Sequence, residues 1–292
     1  MAVLLVDFAT ILLNNMVLIF VVGLIAGSFL NVVIYRLKSG DPLGFSRSFC
    51  PYCRAQLKWF DLIPIFSFIW LKSRCRYCSE KISWQYPVVE ILSGIIWISI
   101  FYPPPFALQR VGGFGAITSF YHIFILSSLL VIAVYDFKWK IISNKIVYPA
   151  IVAVFLFNFL NVFSSYGGSA LGGKFLNIEI FISSLFVASV AFLFFFLIYF
   201  FSKGRAMGLG DAKLAFLIGL FLVPISAVIA FALAFVFGAV IGIILIMISK
   251  IPHPLVYKGW GMKSQIAFGP FLVFSAFFSF FFSDFIIKFF QP

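Results

Sequence analysis

Apolar runs of roughly bilayer length recur along the chain, broken by short polar or basic stretches. A tilted helix needs about 20 apolar residues to cross a bilayer core. Candidate spans lie at 14–35, 87–102, 118–135, 146–163, 179–201, 212–224, 225–249 and 267–288. The sixth is short and punctuated by Pro224, so it is expected to tilt, to re-enter, or to join its neighbour through a tight turn. The pattern predicts an all-α polytopic membrane protein of about eight transmembrane helices. Gly23 with Gly27, and Gly238 with Gly242, are i, i+4 pairs suited to close helix packing in lipid. Only 36–86 is a sizeable polar segment, so the expected organisation is a first span at 1–35, an insert at 36–86 and a membrane core at 87–292.

Composition sharpens this picture. The chain is 63% hydrophobic with mean hydropathy +1.14, and its 292 residues include 43 Phe but only nine acids. Lipid is therefore its main solvent, and the phenylalanines are expected to face lipid or fill the core. The start, MAVLLVDFATILLNNM, lacks the basic region and cleavage site of a signal peptide, so it is expected to belong to a retained first span. A net charge of +12 invites a nucleic-acid partner, but no basic run is interleaved with aromatics. Membrane topology explains the charge instead. With 36–86 inside and sides alternating, the inner segments hold eighteen of the 21 Lys and Arg, leaving Arg110, Lys174 and Lys288 outside. The insert is then cytoplasmic and both termini face outward.

All four cysteines lie in the insert, as Cys50-Pro-Tyr-Cys53 and Cys75-Arg-Tyr-Cys78. Two C-x-x-C knuckles at this separation supply four thiolates for a tetrahedral zinc site. Disulfides are disfavoured on the reducing side, and no thioredoxin-like pattern surrounds either pair. An insert of this size has too little core to fold easily alone, so bound Zn2+ would stabilise it. Four thiolates leave no open coordination position, so the metal is expected to be structural.

The acids carry the remaining chemistry. Asp41, Asp61 and Glu80 belong to the polar insert, where solvation accounts for them, and Asp7, Glu179 and Asp284 lie near outer span ends. That leaves Glu90, Asp136 and Asp211. Asp136 ends the third span, where a carboxylate opposes the helix dipole; pairing with Lys138 or Lys140 is its simplest structural account. Asp211 opens the next inward-facing helix, where an N-cap role suffices. Together, however, both acids fall at the cytoplasmic ends of their spans, and costly acids at membrane depth are functional candidates. Two carboxyls within reach share a proton, so one can activate water while the other polarises a carbonyl, as in aspartic proteases. Gly208 and Gly210 of "GLGD" would allow close backbone approach beside Asp211. No G-x-S-x-G or H-E-x-x-H is present. An ion-coupled transporter could use the same acids, but they sit at one membrane face and no inverted repeat is visible.

"GSFLNVVIYRL" at 27–37, the two C-x-x-C pairs, "DLIP" at 61–64, "ISWQYPVVEILSG" at 82–94, "YD" at 135–136, "GLGDAKLAFLIGLFL" at 208–222 and "IAFGPFL" at 266–272 complete a recognisable series. In order, spacing and topology the chain resembles the bacterial type IV prepilin peptidases, membrane aspartic proteases that usually also N-methylate their product. The resemblance departs at Ser143, before Asn144, and at Ala267, where proline is frequent. It implies Asp136 and Asp211 as the catalytic pair. It implies prepilin and pseudopilin substrates of a pilus or secretion system, each with a short basic leader ending in glycine, cut on the cytoplasmic side of the inner membrane. It also implies S-adenosyl-L-methionine as methyl donor, for which no local nucleotide loop is visible. Glu90, near the start of the second span, could meet the leader's basic residues or the new α-amino group, or simply stabilise a helix start. Lys213 could tune Asp211 or extend toward lipid headgroups; the insert's basic excess also suits anionic lipid.

Overall fold

A computed structural model describes residues 16–41, 47–102, 116–164, 172–205, 207–249 and 267–290. Among them the chain forms helices only: α1 (Met16–Ser39), α2 (Phe66–Trp70), α3 (Gln85–Phe101), α4 (Ala116–Trp139), α5 (Asn144–Ser164), α6 (Gly172–Ser202), α7 (Leu209–Phe221), α8 (Pro224–Ser249) and α9 (Gly269–Phe290), with a 3-10 turn at Trp59–Leu62. Each predicted span corresponds to one helix. Five are long and apolar enough to cross a membrane, over Met16–Ser39, Ala116–Trp139, Asn144–Val162, Ile178–Ser202 and Pro224–Leu245, while Gln85–Phe101 and Gly269–Phe282 are shorter apolar helices. The chain divides into two compact units, Met1–Val131 and Ile132–Pro292.

In the first unit α1 packs on α3 through missing side chains. A Cβ on Gly23 would stand 2.7 Å from Gly94 Cα, and one on Gly27 would stand 2.6 Å from Glu90 Cα. The close packing expected of Gly23 and Gly27 is present; among the described residues none is seen at Gly238 and Gly242. Among the described residues a Cβ on Gly242 would meet nothing within 4 Å, and one on Gly238 would make only ordinary contact with the Phe268 and Phe271 rings, at 3.4 Å and 3.9 Å. Within the insert, Cys50, Phe68 and Cys75 are the only buried apolar residues among the described ones, with Arg36 buried at its start, too little apolar area for an autonomous core. Asp61 corrects the expectation of a solvated acid. Its carboxylate accepts Arg76 Nε at 2.8 Å, Tyr77 OH at 3.2 Å and the Lys58 N–H at 3.2 Å, stapling the 3-10 turn to the second knuckle.

The second unit is built around α7. Leu214, Ala215, Leu217 and Ile218 are fully buried, and α5, α6, α8 and α9 all pack against this helix. A Cβ on Gly219 would lie 2.6 Å from Ala188 Cα, so α6 and α7 touch backbone to backbone. Thirteen residues make a helix of about 20 Å, short of the roughly 30 Å hydrocarbon core. Its last carbonyls must therefore find partners among apolar surroundings. The Leu222 N–H bonds Ile218 O at 2.9 Å, and Asn158 Nδ2 bonds Leu220 O at 3.0 Å. Of the three outcomes expected for this segment, the tight turn to its neighbour is present: only Leu222 and Val223 separate α7 from α8, which Pro224 opens, where its fixed φ and absent N–H are tolerated. The phenylalanines take both expected roles. Phe195 is buried in a ring cluster with Phe231, Phe235 and Phe268, whereas Phe186, Phe200 and Phe201 are exposed along α6.

Candidate active site and metal centre

Asp136 lies in the last turn of α4. That helix stops because Lys140 takes a left-handed φ of 55° while its N–H caps the Asp136 carbonyl at 2.7 Å, a C-terminal turn usually given to glycine. A four-residue link leads to α5, where the Ser143 carbonyl accepts the Ile146 and Val147 N–H groups at 3.2 Å. Ser143 thus starts α5 without the proline common in the resembling family. The carboxyl of Asp136 faces the start of α9, and its Oδ2 accepts the Gly269 N–H at 3.1 Å. Only glycine fits there, because a Cβ at 269 would lie 2.5 Å from Oδ2 and 3.1 Å from Cγ.

Asp211 occupies the third position of α7, not the N-cap expected from sequence. Gly208 is the N-cap, and its N–H donates to Asp211 Oδ2 at 3.1 Å. The carboxylate therefore reaches back to the helix start as the acid of a capping box does. The two motif glycines play different parts. A Cβ on Gly210 would meet Ile142 Cβ at 2.8 Å, so this glycine lets the first turn of α7 approach the link that follows Asp136. A Cβ on Gly208 would make only ordinary contact, 3.6 Å from Asp211 Oδ2. Asp136 and Asp211 are both buried, and their carboxyls are close enough to interact electrostatically. Each is held through Oδ2 by one glycine amide. Lys213 Nζ donates to Asn144 Oδ1 at 2.9 Å and lies 5.1 Å from the Tyr148 ring centroid. Asn144 and Lys213 thereby tie α5 to α7.

In the first unit the four thiols converge. Cys50, Cys53, Cys75 and Cys78 Sγ atoms all lie within 4.8 Å of one another, none in a disulfide. Cys50 and Cys78 Sγ are 3.9 Å apart, close to the roughly 3.8 Å edge of a tetrahedron with Zn–S bonds near 2.3 Å. The two knuckles repeat one design. Cys50 N bonds Ala55 O at 2.9 Å and Cys75 N bonds Glu80 O at 2.8 Å, while the N–H groups of Arg54 and Ser79 each bond the first cysteine's carbonyl at 2.9 Å. Arg54 and Ser79 both adopt left-handed φ, 60° and 59°. Burial opposes thiolate formation at Cys75, but the Tyr77 and Cys78 amides and the neighbouring thiols outweigh it and bring the group down to about 7. At Cys78 the Glu80 amide favours the thiolate, yet burial and three neighbouring thiols push the group up to about 12. A set of thiols sharing protons in this way suits a divalent cation that replaces them.

Glu90 is also buried, on α3 of the first unit. Its Oε2 accepts the Ile65 N–H at 2.8 Å, and the Ser28 hydroxyl donates to the same carboxylate. Ser28 and Asn31 had no assigned role in the sequence, although both stand in the "GSFLN" stretch. Asn31 Nδ2 bonds the Tyr86 carbonyl at 3.1 Å, locking that stretch to "QYP" at the start of α3. Gly269 was likewise unassigned, because its close contact is with a residue 133 positions away.

Residues 21–103 match the Bacterial Peptidase A24 N-terminal domain, and residues 123–243 match the Type IV leader peptidase family. The prepilin leader peptidase/N-methyltransferase of Klebsiella pneumoniae is 31% identical over 210 residues, covering 70% of this chain and 83% of that protein. Its Vibrio cholerae counterpart is 33% identical over 232 residues, covering 74% and 84% respectively. The Aeromonas hydrophila counterpart is 26% identical over 299 residues, covering 93% of this chain and 92% of that protein. No solved structure matches the chain, and none of these relatives is a transporter. Matched by one family model across its first span and insert, by a second over 123–243, and over most of its length by these relatives, the chain is a multi-pass membrane protein that belongs to the type IV prepilin leader peptidase family.

Proposed function

We propose that Asp136 and Asp211 hydrolyse the bond between the basic leader and the apolar helix of type IV prepilins and pseudopilins. The placement of two buried, interacting carboxyls, each held by one glycine amide, carries this reading. With Oδ2 of each acid so occupied, Oδ1 of each is left for chemistry. One carboxylate takes a proton from water as the water oxygen attacks the scissile carbonyl carbon, while the other, protonated, donates to the carbonyl oxygen. Collapse of the tetrahedral intermediate breaks the C–N bond, and the departing amine takes up a proton. The peptidase core lies within 87–292, and 1–35 and 36–86 serve as first span and cytoplasmic insert. The excess of Lys and Arg in 36–86 supports an insert on the cytoplasmic side of the inner membrane and termini on the periplasmic side. Lipid is the solvent of the exposed apolar helix faces, and no nucleic acid is involved.

Cys50, Cys53, Cys75 and Cys78 would hold a structural Zn2+, supported by their mutual spacing. The family's paired activities support N-methylation of the new terminus, for which S-adenosyl-L-methionine supplies the methyl group. Mass spectrometry of a prepilin incubated with detergent-purified protein and S-adenosyl-L-methionine tests both reactions. Loss of the leader and gain of one methyl are expected, with cleavage abolished in Asp136→Asn and in Asp211→Asn. Cleavage that survives either substitution would remove the carboxyl pair from the mechanism.

A further inference from the structure

The peptidase chemistry makes no use of Glu90, yet the first unit is arranged around it. A cavity of about 220 Å3 lies between α1, the two knuckles, α2 and the start of α3, with Glu90 and Ser28 in its wall beside Asp61 and Glu80 and the cations Arg36, Arg76 and Lys81. Glu90 is 6% exposed. Its carboxylate receives two neutral donors, and among the described residues no cationic side chain acts on it. A buried carboxylate without a countercharge is costly. The fold also spends conformational energy to aim one of those donors. Ile65, a β-branched residue, sits at φ 60°, ψ −48° and presents its N–H to Glu90; such outliers persist where surrounding structure holds them and cluster at ligand sites. On the other side Gly27 brings α1 within contact of the Glu90 backbone, seating Ser28 beside the carboxylate.

We infer that this cavity binds a primary α-ammonium group, with Glu90 as its buried countercharge. The bound ammonium group must sit at the Glu90 end, and a carboxylate carried with it would face the cations Arg36, Arg76 and Lys81. At about 220 Å3 it is smaller than the roughly 300–1,000 Å3 of pockets that enclose whole drug-sized ligands, so it takes the end of a larger molecule. Two molecules in the proposed reaction carry such an end: the amino-acid moiety of the methyl donor, and the N-terminus released by cleavage. The inference rests on the proposed methylation. A wild-type protein that cleaves but yields no methylated product would refute that reading, whereas methylation with constants independent of Glu90 would refute only the inference.

The test uses full-length, zinc-loaded protein in detergent. Binding of S-adenosyl-L-homocysteine is measured on wild type and on Glu90→Gln by calorimetry, beside an analogue of that ligand lacking the α-amino group. The KM of a mature pilin peptide in methylation, and of prepilin in cleavage, are measured in parallel. Removing one member of a buried charge pair weakens binding by about 30-fold or more. If the donor's amine occupies the cavity, Glu90→Gln and the deaminated analogue each lose that factor. If the new N-terminus occupies it, donor affinity is unchanged and the peptide KM rises by that factor. A rise confined to the prepilin KM in cleavage, or no change in any of the three, overturns the inference. Zinc content reports whether the first unit of Glu90→Gln remains folded. Should zinc be lost, wild type decides: equal affinity for both ligands, together with equal peptide KM for an amino and a deaminated N-terminus, overturns it.

Discussion

Gly269→Ala isolates the geometry of the carboxyl pair from helix stability. The added Cβ would stand 2.5 Å from Asp136 Oδ2 and 3.1 Å from Cγ, where real Cβ atoms essentially never come within 3.0 Å. Something must therefore move by at least about 0.5 Å. Asp136 is two bonds long from its backbone to its carboxyl carbon, so it has little slack; turning it away breaks the 3.1 Å bond to the Gly269 N–H. Moving α9 instead disturbs its packing on α7 and α8. Catalytic groups need placement to about 0.5 Å, and a 1 Å error costs about 100-fold. We expect kcat for leader cleavage to fall about 10- to 100-fold, or about 1.4–2.7 kcal/mol of barrier.

Stability should respond differently. The Gly269 φ lies outside the left-handed region, so alanine costs no backbone strain and restricts the unfolded chain, a gain of about 0.4–1 kcal/mol that offsets part of the clash. The assay is leader loss from a detergent-solubilised prepilin, followed by mass spectrometry at varied substrate, with thermal unfolding measured alongside. Gly242→Ala, which meets nothing within 4 Å, serves as control. Cleavage by Gly269→Ala within threefold of wild type would refute the placement of Asp136 against α9.

Gly210→Ala drives a Cβ to 2.8 Å from Ile142 Cβ and should lower kcat about tenfold or more, whereas Gly208→Ala, with its 3.6 Å contact, should lose less in the same assay. Asn158→Leu removes the donor to Leu220 O and should destabilise the second unit by about 1–3 kcal/mol, read from its unfolding midpoint, since the carbonyl is left bare. One zinc per chain is expected by elemental analysis, with all four cysteines unreactive to thiol reagents until a chelator is added; Cys75→Ser should lose the metal and the insert's protease resistance. Arg54→Gly and Ser79→Gly relieve left-handed residues at equivalent places in the two knuckles and should each raise zinc-loaded stability by up to about 1 kcal/mol, measured by thermal melting.

Elements were legible in the sequence wherever a local pattern fixed them. Apolar run length located the helices, C-x-x-C spacing located the thiol cluster, and Gly23 with Gly27 marked a face for close packing without naming its partner. Where contacts came from distant residues, sequence reading failed. Nothing local says that Gly269 must face Asp136, that Asn158 caps α7, or that Asp61 closes onto Arg76 and Tyr77. Gly238 with Gly242 has the same spacing as Gly23 with Gly27, yet among the described residues no helix backbone lies against it closely. Spacing creates a flat face; only a partner with its own small residue, as Gly94 provides, turns it into a contact. Pro224 left three outcomes open for a similar reason, since proline marks a boundary without saying which side of it remains helical.

The two acids illustrate why a carboxylate can be both a capping group and a reactive one. Asp211 stabilises the start of α7 through one oxygen, and that bond is what prevents the side chain from relaxing toward solvent or lipid. Asp136 faces the opposite problem, because at the end of α4 the helix dipole disfavours its charge. The Gly269 N–H at the start of α9 replaces the missing stabilisation, helped by the positive end of that helix's dipole. Both carboxyls are thus held by helix N-termini through single oxygens, one on its own helix and one on a neighbouring helix. Cutting either bond should affect orientation before it affects folding, so losses in kcat should precede losses in thermal stability across the glycine variants. A series in which stability and kcat fell in strict proportion would mean that these glycines only pack the helices together.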